Sequence, residues 1–290
     1  MSLTKAIIPA AGLGKRLLPA TQAVAKELFP VLNKPLIQLV VEEAADSGIE
    51  QVIIVVSEEK QAIRDYFKLD SLNRGPRAGE TALNELRSLI NRVDIRFVQQ
   101  DHQLGLGHAL LMAREMIDDE FFAVLLGDNL TRAATPVTRQ LLDAHRRGGT
   151  TVIGAQSVAA ELVNRYGIME TVISGHRLQP VKSLVEKPAV GSTSSCLAIA
   201  GRYILPAAVF RILEQQPASR GGEIQLTDAL QQLVAEGEPV CAYEYDGERL
   251  DLGCGPDFIR ANILAALDRP DIRQATLDML EQLHKQTDAT

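Results

Sequence analysis

Close to the amino terminus an apolar run, Ala6-Ile7-Ile8, leads straight into Ala10-Ala11-Gly12-Leu13-Gly14-Lys15-Arg16, a small-residue loop with two cations. Glycines let backbone N–H groups approach a phosphate or a base edge closely, and neighbouring cations neutralise the charge of such a ligand. The loop therefore suits a nucleotide, although a Gly-x-Gly after a strand serves equally as a tight turn. Two familiar phosphate motifs do not fit. A P-loop needs Gly-x4-Gly-Lys-Ser/Thr, which is absent. The dinucleotide fingerprint wants a third glycine where Leu17 stands and an acidic residue about 20 positions on, long before Ser57-Glu58. Nucleophilic catalysis finds no Ser-His-Asp or Cys-His arrangement. His102, His145, His176 and His284 are scattered without metal-ligand spacing and read as surface or structural. His108, just after Gly105-Leu106-Gly107, is placed to orient that loop or to touch a phosphate. Cys196, Cys241 and Cys254 lack CxxC spacing and read as free buried thiols.

The elements that must carry these residues follow from periodicity. Short apolar runs alternate with amphipathic stretches, the pattern of a sheet wrapped by helices. Strands are expected at Ala6–Ile8, Gln51–Val56, Ile95–Val98, Phe121–Leu126, Thr151–Ala155 and Val240–Tyr245. Helices are expected at Pro35–Ala45, where Pro opens and Gly48 closes the segment, and at Glu58–Phe67, Gly107–Met116, Pro206–Gln215, Leu226–Ala235, Asp257–Leu267 and Ile272–His284. Between Tyr166 and Pro188 the pattern becomes ribbon-like around a Ser174-Gly175 turn, so antiparallel strands are expected there, covering one side of a cleft. The Gly- and Pro-bearing stretch Leu69 to Thr81 reads as an exposed loop. The fold class is α/β: a Rossmann-like mixed, mainly parallel sheet flanked by helices, with inserted antiparallel β-ribbons.

The chain has 290 residues, 46% hydrophobic and 23% charged, enough for a substantial core and too apolar for disorder. Thirty Lys and Arg against 37 Asp and Glu give a net charge of -7, the wrong sign for a nucleic-acid partner. No apolar run approaches the roughly 20 residues a bilayer requires, and no signal-like segment opens the chain, so a cytoplasmic protein without a membrane partner is expected.

From Leu17 the loop continues as Leu-Leu-Pro-Ala-Thr-Gln-Ala-Val-Ala-Lys26-Glu27-Leu-Phe-Pro30, then Asn33-Lys34-Pro35-Leu36-Ile37. Further on come Gly105-Leu-Gly-His-Ala109, Leu125-Leu-Gly-Asp128-Asn129-Leu130, Tyr166-Gly167, Val185-Glu186-Lys187-Pro188, Gly222-Glu223-Ile-Gln-Leu-Thr-Asp228-Ala229 and Leu250-Asp251-Leu-Gly253. In this order they resemble the sugar-1-phosphate nucleotidyltransferases, most closely those that use UTP and glucose 1-phosphate, over nearly the whole chain.

The resemblance implies a nucleotide-diphospho-sugar transferase fold: one domain, 1–290, with a nucleotide-binding half (1–155), a sugar-binding half (156–255) and C-terminal helices (256–290). It implies UTP and glucose 1-phosphate as substrates, UDP-glucose and pyrophosphate as products, Mg2+ as cofactor, and a homodimer or homotetramer. A sugar phosphate oxygen would attack the α-phosphorus and pyrophosphate would leave in line, so two polyanions must be held together. Asp128 and Asp251 stand where such enzymes place their metal ligands, hard carboxylates that suit Mg2+. Arg16 would grip the β- and γ-phosphates, Lys26 the α-phosphate and Lys187 the sugar phosphate. Glu186, Gly167 and Glu223 fall in the sugar region, with Asp228 as a helix cap. Ala10, Ala11, Gly12 and Gly14 would offer backbone groups to the nucleotide, with Gly105 giving room for the base. Gln100, able to donate and accept, would read a pyrimidine edge. Glu27 is either a nucleotide contact or an ion-pair partner of Lys26 or Lys34. One departure matters: Gly127-Asp128-Asn129 replaces the Gly-Asp-Asp of many uridylyltransferases and matches thymidylyltransferases, which makes dTTP the rival nucleotide. A non-catalytic paralogue would be expected to lose the charged set, yet Arg16, Lys26, Asp128, Lys187 and Asp251 are all present.

Overall fold

The computed structural model describes residues 3–68, 80–173, 175–219 and 221–288. In chain order these form β1 (Lys5–Pro9), a small hairpin of β2 (Pro30–Val31) and β3 (Lys34–Pro35), α1 (Leu36–Asp46), β4 (Gln51–Val56), α2 (Gln61–Tyr66), α3 (Glu80–Arg92), β5 (Asp94–Gln99), α4 (Leu106–Met112), β6 (Phe121–Leu125), β7 (Asn129–Arg132) and α5 (Val137–Gly148). Then follow β8 (Thr151–Ser157), β9 (Gly167–Thr171), β10 (Leu178–Glu186), β11 (Leu197–Pro206), α6 (Val209–Gln215), α7 (Leu226–Ala235), β12 (Val240–Glu244), β13 (Glu248–Asp251), α8 (Gly255–Asp268) and α9 (Arg273–Asp288). None of these helices is long and apolar enough to cross a membrane.

One sheet of nine strands, ordered β5-β4-β1-β6-β11-β8-β12-β10-β9, carries the fold. The pairings make seven strands run one way, with β10 and β11 opposed, so the sheet is mixed and mainly parallel as the alternation implied. Successive side chains of a strand point to opposite faces. In β1, Ile8 joins a core with Ile37, Val40 and Val41 of α1 and Leu86 and Leu89 of α3. Its neighbour Ile7 joins the opposite core with Leu110 of α4 and Phe210 of α6. Burial on both faces explains why the strands read as unbroken apolar runs. On the second face Phe122 and Phe210 stack with ring centroids 5.0 Å apart.

Besides the short strands β2, β3, β7 and β13, three longer elements were not anticipated. α3 starts at Glu80, so the expected loop 69–81 loses its last two residues to a helix, and its remainder, 69–79, lies outside the described residues. The turn residue Ser174 lies outside them too. α5 carries a clear apolar stripe, with Val137, Leu141, Leu142 and Ala144 buried and Gly149 left-handed at its end. β11, unread in the sequence, is the strand that joins the two parts of the sheet, pairing antiparallel with both β6 and β8.

The reason β11 hides is Arg202. Its side chain is fully buried, and its guanidinium donates to Glu43 of α1 at 2.7 and 3.0 Å and to the carbonyls of Leu126 and Asn129. Glu43 also accepts from the hydroxyls of Thr131 and Thr138. Burial alone would raise the Glu43 pKa, but the Arg202 charge and the hydrogen bonds outweigh it and hold the carboxyl below its usual range. The pair therefore clamps α1, α5, β7 and β11 together beneath the turn that bears Asp128.

Removing one partner of a buried pair leaves an uncompensated charge. Arg202→Met is expected to cost about 3–5 kcal/mol near neutral pH. In the wild type the Glu43 contribution is complete above the unfolded carboxylate pKa of about 4.3. In the variant the unpaired, buried Glu43 takes a raised pKa, so its penalty shrinks as the pH falls. Denaturant unfolding at pH 8 and pH 5 should show a smaller difference between the two proteins at pH 5; an equal or larger one would mean that Arg202 does not neutralise Glu43.

Candidate functional site

The parallel strands β1, β4, β5 and β6 end on one side of the sheet, where open α/β sheets place their ligands. A cleft of about 760 Å3 opens there. Its floor is the loop after β1, its rims the loops after β5 and β6, and its far wall β9, the end of β10 and β13. Arg16, Lys26, Lys187, Ala11, Gly12, Gly14, Glu27, Gln100, Gly105, Asn129, Gly167, Glu186, Glu223, Asp128 and Asp251 all line it. Ala10 does not. It is buried, its N–H donates to the Val55 carbonyl and its own carbonyl accepts from Lys60, so neither backbone group faces a ligand.

Charged residues far apart in sequence meet here as pairs. Lys26 Nζ lies 2.5 Å from Asp128 Oδ2, and Arg16 forks onto both oxygens of Asp251 at 2.8 and 3.1 Å. Burial alone would raise the Asp128 pKa, but Lys26 and Arg16 outweigh it and hold the carboxyl ionised; burial works equally against a charged Lys26, which Asp128 and Glu27 restore. β7 and β13 bring the two carboxylates to one place: Asp251 pairs in register with Asn129, and the Leu252 N–H donates to the Asp128 carbonyl. Gly253 stands against this fork, where an added Cβ would lie only 2.6 Å from Arg16 Nη2. On the far wall Lys187 pairs with Glu186 at 3.1 Å, and Glu186 accepts from Thr227 at 2.6 Å. Lys187 itself adopts a φ of 45°, a conformation L-residues enter at a cost and which clusters at functional sites.

Glu27 pairs with neither Lys26 nor Lys34 but with Lys60, at 2.7 Å. Lys60 also donates to the carbonyls of Ala10 and Gly12, each at 2.6 Å, so one buried ammonium fixes the curve of the glycine loop. Desolvation pushes Glu27 up and Lys60 down, against their mutual attraction. Gly105, which lines the cleft, and Gly107 also allow a close approach of backbone. A Cβ at either would strike backbone of the segment carrying Glu223 and Ile224, at 3.0 and 2.7 Å from the Ile224 carbonyl oxygen. The loop is stitched to that segment by Gly107 N–H to Ile224 O and Ile224 N–H to Leu104 O.

Asp228 is no cap: Gln225 precedes α7, no side chain caps it, and Asp228 sits in its first turn, where partial burial and the nearby Glu186 charge push its carboxyl up. The three cysteines are free but half-buried rather than buried. Sequence reasoning also missed Lys60 and Arg249. Arg249 shares a face of β13 with Asp251, lines the cleft, and lies over the Tyr166 ring at 4.5 Å from its centroid. Alternation around the buried Leu250 is the signal that could have found it.

Asp128 and Asp251 supply hard oxygen donors on one wall, and among the described residues no larger cluster of His, Cys, Asp or Glu suits a metal ion. Two carboxylates plus phosphate oxygens and water are what a Mg2+-like cation takes. The donor set therefore fits a divalent metal that arrives with a phosphate ligand.

The family model described as nucleotidyl transferase matches residues 5–266. The UTP–glucose-1-phosphate uridylyltransferase of Bacillus subtilis (strain 168) is 44% identical over 282 residues, covering 96% of each chain. A UDP-glucose pyrophosphorylase solved with UDP-glucose superposes with a TM-score of 0.85 at 34% identity, over 92% of this chain and all of the other. A UTP-bound UGPase from Acinetobacter baumannii gives 0.85 at 31% identity, over 97% of this chain and all of the other.

Because Lys60 and Glu27 are buried together, Lys60→Met should destabilise the protein by about 3 kcal/mol, and adding Glu27→Gln should return part of that loss. A double-mutant cycle by denaturant unfolding checks this; additive losses would show that the two side chains do not interact energetically.

Proposed function

The chain belongs to the nucleotidyl transferase family, and we propose that it makes UDP-glucose and pyrophosphate from UTP and glucose 1-phosphate. The observation that carries this reading is the cleft, in which three cation–carboxylate pairs face one another across a space sized for a nucleotide and a sugar phosphate. Full-length similarity to enzymes named for that reaction supports it.

Asp128 and Asp251 would hold a divalent cation, Mg2+ in this reading. When bound, it would supply positive charge that offsets the charge gathering on the leaving pyrophosphate. The protein's own part is an exchange of partners. With Asp128 and Asp251 holding a metal, Lys26 would be free to hold the α-phosphate and Arg16 the β- and γ-phosphates. Each charge keeps an opposite partner throughout, so no bare ion is stranded in a half-buried site.

On the far wall Lys187 holds the sugar phosphate while Glu186, Gly167 and Glu223 receive sugar hydroxyls. Ala11, Gly12 and Gly14 bring backbone groups to the nucleotide and Gln100 reads the base, whereas Ala10 and Glu27 act from beneath through Lys60. The nucleophile is an oxygen of glucose 1-phosphate; its bond to the α-phosphorus forms as the bond to the β-phosphate bridge breaks. Holding both anions in line replaces a bimolecular encounter, which removes the need for a covalent intermediate. By this reading 1–155 is the nucleotide half and 156–255 the sugar half of one domain.

Pyrophosphate release with Mg2+ and glucose 1-phosphate, compared for UTP, dTTP, CTP, ATP and GTP, tests the reading. UTP is expected to be preferred; preference for dTTP would move the chain to the thymidylyl branch that Asn129 brings to mind. No turnover with any nucleotide would mark a non-catalytic paralogue. Asp128→Asn should lower turnover roughly a hundredfold or more, the effect of losing several kcal/mol of charge stabilisation. Lys187→Ala should raise KM for glucose 1-phosphate and leave KM for UTP unchanged.

A further inference from the structure

Gln100 follows β5, and its backbone N–H donates to the Val56 carbonyl, so its position is set by the sheet. Its side chain lines the cleft although the residue is only 3% exposed. The amide nitrogen lies 3.3 Å from the Gly105 carbonyl oxygen and 2.8 Å from Nδ1 of His108. A carbonyl can only accept, so the NH2 group, not the oxygen, must face Gly105. The same NH2 then faces His108, whose Nδ1 must accept and whose proton must sit on Nε2. Burial and the neighbouring His102 lower the His108 pKa, which favours this neutral ring. Both amide hydrogens are thereby engaged, while Oε1 accepts from no described residue and is not among the buried atoms left without a partner. The oxygen is the amide atom left for a ligand.

We propose that His108 is a specificity-determining positioning residue, which locks the Gln100 amide so that its oxygen alone faces the base. This rests on the reading that the cleft takes a uridine nucleotide. Uracil brings an N–H donor at N3, which Oε1 accepts. Cytosine brings a bare acceptor at N3, and two acceptors facing one another repel. Without the short His108 contact only the longer, 3.3 Å hydrogen bond to the Gly105 carbonyl would hold the amide, so Gln100 could turn more readily to offer NH2 to cytosine, and the distinction would fade. His108 thus acts through Gln100 without touching substrate. Leu104 and Gly107, hydrogen-bonded to Ile224, hold His108 at the right distance from the end of β5.

Binding of UTP and CTP to the wild-type protein, His108→Leu and His108→Asn, measured by calorimetry, tests this. KM for UTP, CTP and glucose 1-phosphate is measured alongside. The wild type should prefer UTP. His108→Leu, which removes the acceptor, should weaken UTP about tenfold and shrink the UTP-to-CTP preference by a similar factor, the consequence of one lost directional hydrogen bond. KM for glucose 1-phosphate should stay unchanged. His108→Asn, whose Oδ1 can stand where Nδ1 does, should restore most of the preference. A preference in His108→Leu within twofold of the wild type would overturn the proposal, as would equal weakening of UTP, CTP and glucose 1-phosphate, which signals a merely structural effect. A wild type that binds UTP no better than CTP would instead overturn the uridylyl reading itself.

Discussion

Two polyanions have to be drawn into one cleft, and a chain of net charge -7 can do this only with cations placed one by one. A cation held ready in a half-buried site needs a counter-charge, because an isolated ion loses hydration that nothing replaces. The structure answers with Lys26 on Asp128, and the more exposed Arg16 and Lys187 are paired likewise, with Asp251 and Glu186. Everything else in the fold serves to hold both members of each pair at the end of an element that cannot drift. In the proposed reading the pairs would also make the site receptive to a metal-bound triphosphate, since carboxylates and cations would each find a better partner in it.

Rigidity behind the pairs comes from two buried cations that never face the ligand. Lys60 gathers the carbonyls of Ala10 and Gly12 with Glu27, fixing the floor of the cleft. Arg202 gathers the carbonyls of Leu126 and Asn129 with Glu43, fixing the turn that carries Asp128. Both use a charge where apolar packing could have filled the space. An apolar side chain offers nothing to a loop carbonyl, whereas a buried Lys or Arg can hold several at once. These loops, lacking a strand partner on one side, need that service.

What the sequence made legible divides along this line. The glycine loop after β1, the cleft at the strand ends and most of its lining were readable, because loops that meet a ligand carry an unusual local density of Gly, Lys and Asp. The strands buried on both faces were readable as apolar runs. β11 was not, since Gly201-Arg202 interrupts its run and a charged residue in isolation reads as surface. Lys60 and Arg249 were lost for the same reason: a cation reveals its partners only after the chain folds, and Lys60 meets Glu27, Ala10 and Gly12 from another element. The ion-pair alternative for Glu27 named Lys26 or Lys34 because neighbours in sequence were the only ones visible. α3 and α5 differ, since their periodicity was present and went unread.

Affinity and selection draw on different parts of the cleft, and the reason is physical. Ion pairs and metal contacts act on phosphates that every nucleoside triphosphate shares, so they bind strongly and discriminate little. Selection has to come from short, directional hydrogen bonds to the base, where an unmatched donor or acceptor is left without water. Such a contact works only if the reading group cannot turn to suit whichever base arrives. A glutamine amide can turn, presenting oxygen and NH2 in nearly the same shape, and it becomes selective only when something else removes that freedom. The fold places Gln100 at a strand end and His108 in a loop whose two glycines permit backbone contact with Ile224. In the proposed reading, the motif Gly105-Leu-Gly-His serves the site through the place its glycines give to the histidine as well as through what they leave open.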